Sequence, residues 1–285
     1  MPIDRKEFLK LAVMGLGGAL LWPEAAAADE PEVPASAGDY ACKLYDATLC
    51  VGCRACQTAC RQWNHTQREQ DASGLYDAPK DLSADTWTLI QLYQGADEWS
   101  FVKHQCMHCV HPACVSACPV HALQKQDNGA VVYDDKRCIG CRYCMVACPF
   151  NVPRFAWSEV IPVIAKCTLC NDRLVAGNGP FCAESCPTGA LIWGRREDMI
   201  TEAERRLQEN PDRYVSQIYG KDELGGTSVI YLSHVDFSKL GFPEVGAEAV
   251  TELSEKTGSY VLPGLLVGVP LFLTAVRIST RKKEG

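Results

Sequence analysis

The sequence predicts an α+β fold: two nested modules organised around cysteines, with small β-hairpin insertions, followed by one C-terminal transmembrane helix. Three observations carry this expectation. Sixteen of the seventeen cysteines in the 285 residues lie between Cys50 and Cys186, in four groups of four. Between the groups, short alternating segments are punctuated by turn residues, the pattern of small hairpins rather than long helices. Near the C-terminus, Tyr260 to Ile278 carries no charge before Arg277, close to the length a bilayer requires. The formal net charge of -7 argues against a nucleic-acid partner. With both ends set aside, about 230 residues remain, enough for a cored domain.

The first group is Cys50, Cys53, Cys56 and Cys60, spaced C-x2-C-x2-C-x3-C. The second is Cys106, Cys109, Cys114 and Cys118, with x4 in the middle gap. The third, Cys138, Cys141, Cys144 and Cys148, repeats the first spacing, and the fourth, Cys167, Cys170, Cys182 and Cys186, has an eleven-residue middle gap. Pro119, Pro149 and Pro187 follow the last cysteine of three groups; Arg61 takes that place in the first. A [4Fe–4S] cube needs one thiolate on each iron. Three close cysteines on a loop reach three irons, and the fourth, before proline, ligates the other cluster of a pair. Four quartets therefore predict four [4Fe–4S] clusters in two crossed pairs. A disulfide framework does not repeat this spacing. A zinc site is built from two separated pairs, not three cysteines within seven residues.

Taken in order, residues 1–28 read as an export signal. A charged start, Asp4-Arg5-Lys6-Glu7-Phe8-Leu9-Lys10, precedes an apolar run from Leu11 to Trp22 and small residues at Ala25 to Ala28. The start resembles a twin-arginine signal with lysine at the second arginine, a route suited to a protein that folds around its clusters before crossing the membrane. Residues 29–39 are a linker by composition. The four-cluster domain is expected over 40–196. Tyr40 to Leu49 reads as a strand, in which Cys42 belongs to no quartet and reads as a small buried hydrophobe.

Gly52 and Gly140 precede the second cysteine of their loops, where positive φ lets backbone N–H groups close on the cluster sulfurs. Arg54 and Arg142 follow that cysteine; they either offset cluster charge or are solvated surface charges. Thr86 to Tyr93 and Trp99 to Lys103 read as a hairpin around Gly95. His104, His108 and His111 flank the second quartet; with four thiolates already supplied, lining or docking roles suit them better than ligation. Asn128-Gly129 signals a turn before a strand at Ala130 to Tyr133.

Quartets two and three thus have the layout of a small two-cluster ferredoxin, flanked by quartets one and four. The simplest topology is nested. The inner pair joins Cys106, Cys109 and Cys114 with Cys148, and Cys138, Cys141 and Cys144 with Cys118. The outer pair joins Cys50, Cys53 and Cys56 with Cys186, and Cys167, Cys170 and Cys182 with Cys60. A helix-and-strand extension is expected over 197–259: a helix at Glu197 to Asn210 stopped by Pro211, a strand at Ser228 to Leu232, and a looser segment from Lys239 to Ser259. The transmembrane anchor is expected over 260–279. The basic tail 280–285, with Arg281, Lys282 and Lys283, would stay in the cytoplasm and leave the clusters on the exported side. Gly264-x3-Gly268 offers a helix-packing face.

Three stretches carry a resemblance: Tyr45-Asp-Ala-Thr-Leu-Cys-Val-Gly-Cys53, Gln105-Cys-Met-His-Cys109, and Cys138-Ile-Gly-Cys-Arg-Tyr-Cys-Met-Val-Ala-Cys-Pro-Phe-Asn-Val-Pro153. They resemble the four-cluster iron–sulfur subunits of the DMSO-reductase and formate-dehydrogenase superfamily. The export signal, the Gly225-Gly226-Thr227-Ser228 segment and the C-terminal anchor together resemble the HybA-type subunit of membrane-bound [NiFe] hydrogenases. The resemblance spans about residues 40 to 278 and specifies the superfamily better than the partner. It implies an electron-transfer subunit of anaerobic respiration, without catalysis of its own, at the periplasmic side of the inner membrane. Its implied partners are catalytic hydrogenase (or molybdoenzyme) subunits, an integral membrane quinone-reactive subunit and membrane lipid. The same role in a formate dehydrogenase or a multihaem cytochrome complex is the alternative, and a zinc-stabilised interaction protein is the reading from another class. The residues hold no P-loop, no dinucleotide fingerprint after a strand and no H-E-x-x-H.

Overall fold

The computed structural model describes residues 37–66, 79–157 and 164–281. The described residues fall within one compact unit. The expected export signal, most of the linker and the end of the basic tail lie outside the described residues, as does the middle of the insertion between the first two quartets.

The organising sheet has three strands in the order β8-β1-β9. The central strand β1 (Ala41–Asp46) runs antiparallel to β8 (Leu191–Arg195) and parallel to β9 (Val229–Leu232). Because side chains alternate along a strand, β1 serves two layers. Cys42 and Leu44 pack with Ile230 and Leu232 against Ala203, Met199 and Ile200 of helix α6 (Arg196–Glu209). Tyr45, Val229 and Tyr231 face the other way, into the largest apolar cluster, with Met107, Phe237 and Phe242. Asp46, at the end of β1, is fully buried and accepts hydrogen bonds from Thr48, Tyr214 and Arg206, which ties the extension to the sheet.

The cysteine segments lie on the side of the sheet away from α6. Helix α1 (Ala55–Asn64) follows the first loop. It holds the hairpin of β2 (Thr88–Gln94) and β3 (Trp99–Gln105) through Gln57 Oε1, which accepts the Ile90 N–H at 2.9 Å. Short helices carry the other motifs: α2 (Ala113–Ser116), α3 (Tyr143–Ala147), α4 (Asn171–Val175) and α5 (Phe181–Glu184). Two small ribbons complete this half, β4 (Leu123–Lys125) with β5 (Val131–Tyr133) and β6 (Arg154–Phe155) with β7 (Ile164–Ala165). The mixed helix–strand architecture expected from the cysteine pattern is therefore present.

Two features depart from the sequence reading. The segment expected to be loose up to Ser259 is helical from Val250, where α7 (Val250–Arg281) begins. Glu252 and Glu255 put charge on this turn, which hides it from a reading based on apolar periodicity. The expected transmembrane helix is not met among the described residues: none of their helices is long and apolar enough to cross a membrane. On α7, Leu265, Leu266, Val267, Leu271, Phe272 and Leu273 are exposed.

Candidate iron–sulfur centres

The backbone prepares the loops. Gly52 and Gly140 have φ of 67° and 70°, and Arg54 and Arg142, two residues on, have φ of 61° and 67°. Leu169 and Cys170 adopt the same left-handed region in the fourth motif, and His108 does so in the second. Such alternation turns successive N–H groups inward as an anion nest. Accordingly, N–H groups approach sulfur: Ala122 to Cys118 Sγ at 3.2 Å, and Gly140 to Cys138 Sγ and Leu169 to Cys167 Sγ, each at 3.4 Å.

The thiols gather in four places. Cys50, Cys53, Cys56 and Cys186 line one cavity, beside Tyr45, Lys103 and Leu191. Cys60, Cys167, Cys170 and Cys182 line a second, with Lys43 and Gln105. Cys118, Cys138, Cys141 and Cys144 line another, walled by Leu123, Phe155 and Ile164. Cys109 lies within electrostatic reach of Cys106, Cys114 and Cys148, which defines the remaining group. We name these sites A, B, D and C respectively. They form a series. Cys56 of A is in reach of Cys182 of B. Cys167 of B shares an apolar cluster with Cys106 and Cys148 of C. Cys114 of C packs with Cys118 and Cys144 of D. Site B is the most enclosed, with all four thiols buried, whereas Cys53 of A and Cys141 of D are exposed.

The surroundings suit an anionic, multinuclear group. Among the described residues, no three His, Cys, Asp or Glu side chains converge closely enough to hold a single metal ion. At A, B and D the four thiols instead ring a common cavity. Burial pushes Cys114, Cys144 and Cys170 up to about 12. A thiolate there needs a cation beside it, which cluster iron supplies. Cys186 is the exception: although burial raises it, backbone N–H groups and the Thr188 hydroxyl outweigh that and lower it. Cys42 also sits at about 12 through burial, lies in the α6-facing cluster and joins none of the four sites.

Four buried or nearly buried lysines complete the centres, and sequence reasoning missed all of them. Lys43 Nζ lies 2.5 Å from Gln105 Oε1 and 4.0 Å from the sulfurs of both Cys167 and Cys182. Lys103, fully buried, bonds Thr88 Oγ1 beside Cys56. Lys125 donates to the carbonyls of Cys109 at 2.7 Å and Gly129 at 2.8 Å, and burial pulls it down to about 8. Lys166 donates to the carbonyls of Val131 and Cys167. The signal was legible: each lysine interrupts an apolar or strand-like stretch near a cysteine motif, as in Cys42-Lys43-Leu44-Tyr45 and Lys166-Cys167.

The arginines singled out from sequence line the outer sites, Arg54 at A and Arg142 at D, the latter with its guanidinium 4.4 Å from the Trp157 ring centre. The histidines are structural. His108 is fully buried and its Nδ1 accepts the Val131 N–H at 3.0 Å; His104 stacks on Phe242; His111 lies against Gly225.

Comparison with known proteins agrees with this geometry. Two family models, each described as a 4Fe-4S dicluster domain, match residues 49–123 and 97–196. A protein of Nitratidesulfovibrio vulgaris is 41% identical over 296 aligned positions, covering 99% of this chain and 78% of its own length. The hydrogenase-2 operon protein HybA of Escherichia coli is 37% identical over 303 positions, covering 93% of this chain and 91% of its own. The iron–sulfur subunit of the nitrate-inducible formate dehydrogenase of Escherichia coli is 40% identical over 212 positions, covering 70% and 71%. By its motifs, their folding into paired cysteine sites and these relatives, the chain belongs to the 4Fe-4S dicluster family that includes HybA and the formate dehydrogenase iron–sulfur subunits.

Proposed function

We propose that this chain is the electron-transfer subunit of an oxidoreductase complex, relaying electrons between a periplasmic [NiFe] hydrogenase and a quinone-reactive membrane subunit. The observation that carries the reading is the unbroken series of thiol quartets A–B–C–D, with the all-buried site B inside it and an exposed thiol at each end. The ligands assigned are Cys50, Cys53, Cys56 and Cys186 at A; Cys60, Cys167, Cys170 and Cys182 at B; Cys106, Cys109, Cys114 and Cys148 at C; and Cys118, Cys138, Cys141 and Cys144 at D. A [4Fe–4S] cluster bound at each site supplies a one-electron carrier. The chain's own residues fix the thiolates, donate N–H groups to sulfur and keep water from the inner sites. The alignment with HybA, which extends over more of this chain than that with the formate dehydrogenase subunit, favours hydrogenase as the partner class. Substrate chemistry is assigned to that partner.

The uncharged stretch before Arg277 and its exposed leucines support a C-terminal anchor in the inner membrane, with the clusters on the periplasmic side. Arg5, Phe8 and Leu9 near the start, with Lys6 in the place of the second arginine, support export through a twin-arginine route.

Gentle anaerobic purification of the complex from membranes tests the reading. About sixteen irons and sixteen acid-labile sulfides per chain are expected. Co-purified nickel supports the hydrogenase partner, whereas a pterin cofactor moves the same role to a molybdoenzyme. Stoichiometric zinc without sulfide overturns the proposal. Expressed without its partner subunits, a chain ending at Ser259 is expected to leave the membrane fraction, and its retention there would refute the anchor.

A further inference from the structure

This inference rests on the reading of the four thiol sites as iron–sulfur centres. Lys43 comes from the middle strand of the sheet, on the face opposite α6, and is wholly buried. Its neighbours are Gln105 and the thiols of Cys167 and Cys182, with no carboxylate among them. A buried ammonium persists only where an anion compensates it. The Cys167 and Cys182 sulfurs, each 4.0 Å from Nζ, are the compensating groups at hand. Gln105 adds a second donor at this place: Nε2, beside the Tyr231 phenol, is buried without a partner at hydrogen-bonding geometry. Site B thus has a built positive lining, one buried charge with the Gln105 amide beside it. Site D differs. Its walls are Val120, Ala122, Leu123, Phe155 and Ile164, its cation Arg142 is exposed, and among the described residues no buried lysine lines it.

We propose that Lys43, oriented by Gln105, sets the reduction potential of the centre held by Cys60, Cys167, Cys170 and Cys182, raising it above what the same thiolates would give without the buried cation. One-electron reduction from an external donor adds one negative charge at the site. In the proposed step only the electron moves, and Lys43 keeps its charge. The attraction between that added charge and the ammonium stabilises the reduced state. With water excluded, screening is weak.

The test is an anaerobic potentiometric titration of the purified full-length complex with dithionite, read by electron paramagnetic resonance. Lys43→Met is expected to move one midpoint to lower potential and leave the other three in place. The oxidised-to-reduced ratio of that centre should change at least tenfold at the wild-type midpoint, ~59 mV for a one-electron couple. Lys43→Arg, which keeps the charge, should restore the midpoint. Gln105→Glu, nearly isosteric, puts a carboxylate on the ammonium and should lower the same midpoint. It is the deciding variant if Lys43→Met does not assemble with full iron. Four unmoved midpoints in the Met and Glu variants, a common shift of all four, or an Arg variant shifted as far as Met would overturn the proposal. A wild-type complex with no reducible centres would instead sink the iron–sulfur reading itself.

Discussion

Alanine at Gly52 and at Gly140 should have unequal effects, although the two glycines occupy the same place in the same motif. Both are left-handed, at φ 67° and 70°, so each substitution carries the left-handed penalty of about 1–2 kcal/mol. Their surroundings then separate them. A Cβ at Gly140 would meet nothing within 4 Å, whereas one at Gly52 would stand 2.4 Å from Cε1 and Cζ of Phe101. Phe101 is not free to swing away. Its ring packs edge-on against Trp99 at 5.6 Å, and its carbonyl accepts the Tyr45 hydroxyl at 2.7 Å. Forcing that ring aside adds about 1–3 kcal/mol of overpacking. Gly52→Ala should therefore cost about 2–5 kcal/mol in all. At roughly 2–4 °C per kcal/mol for a domain of this size, its cluster absorbance should bleach about 2–12 °C below that of Gly140→Ala. The assay is an anaerobic melt at 400 nm (roughly the charge-transfer band of such centres), at one scan rate for both variants. Equal losses, or a larger loss at Gly140, would refute the packing argument.

Further outcomes follow from other contacts. Cys42→Ala should keep the full iron complement and lower stability by about 1 kcal/mol, since it deletes one small buried group; Cys60→Ala should lose a centre, and elemental analysis of the pair distinguishes the roles. Arg206→Met removes a charge that pairs with the wholly buried Asp46 at 3.1 Å, and should destabilise the sheet-to-α6 contact by about 3–5 kcal/mol, visible as a lowered melting temperature; an unchanged melt would mean Thr48 and Tyr214 suffice. Trp63→Ala removes an edge-on contact with Phe181 at 5.8 Å and the indole bond to Asp172 at 2.8 Å, so α1 should loosen from α5 and site B should lose iron faster to a chelator than site D, resolved by the order in which paramagnetic signals vanish.

The chain's own spelling set the expectation of what the thiols hold and of how many centres there are, because a cube of iron and sulfide demands four thiolates at spacings that little else requires. It also located β1, the β2–β3 hairpin and α6, whose alternation or helical periodicity is local. The left-handed glycines could be read off for the same reason, since positive φ is a property of one residue. Only the tertiary structure decided which charges face the centres. Lys43 and Lys103 lie on strands where lysine ordinarily points to water; here β1 is the middle strand, and both of its faces are covered. The arginines inside the motifs ended at the outer sites, and lysines beside the motifs, which no spacing rule marks, supplied the buried charge. Burial depends on which strands neighbour one another across more than a hundred residues, whereas ligand spacing is set within a single loop.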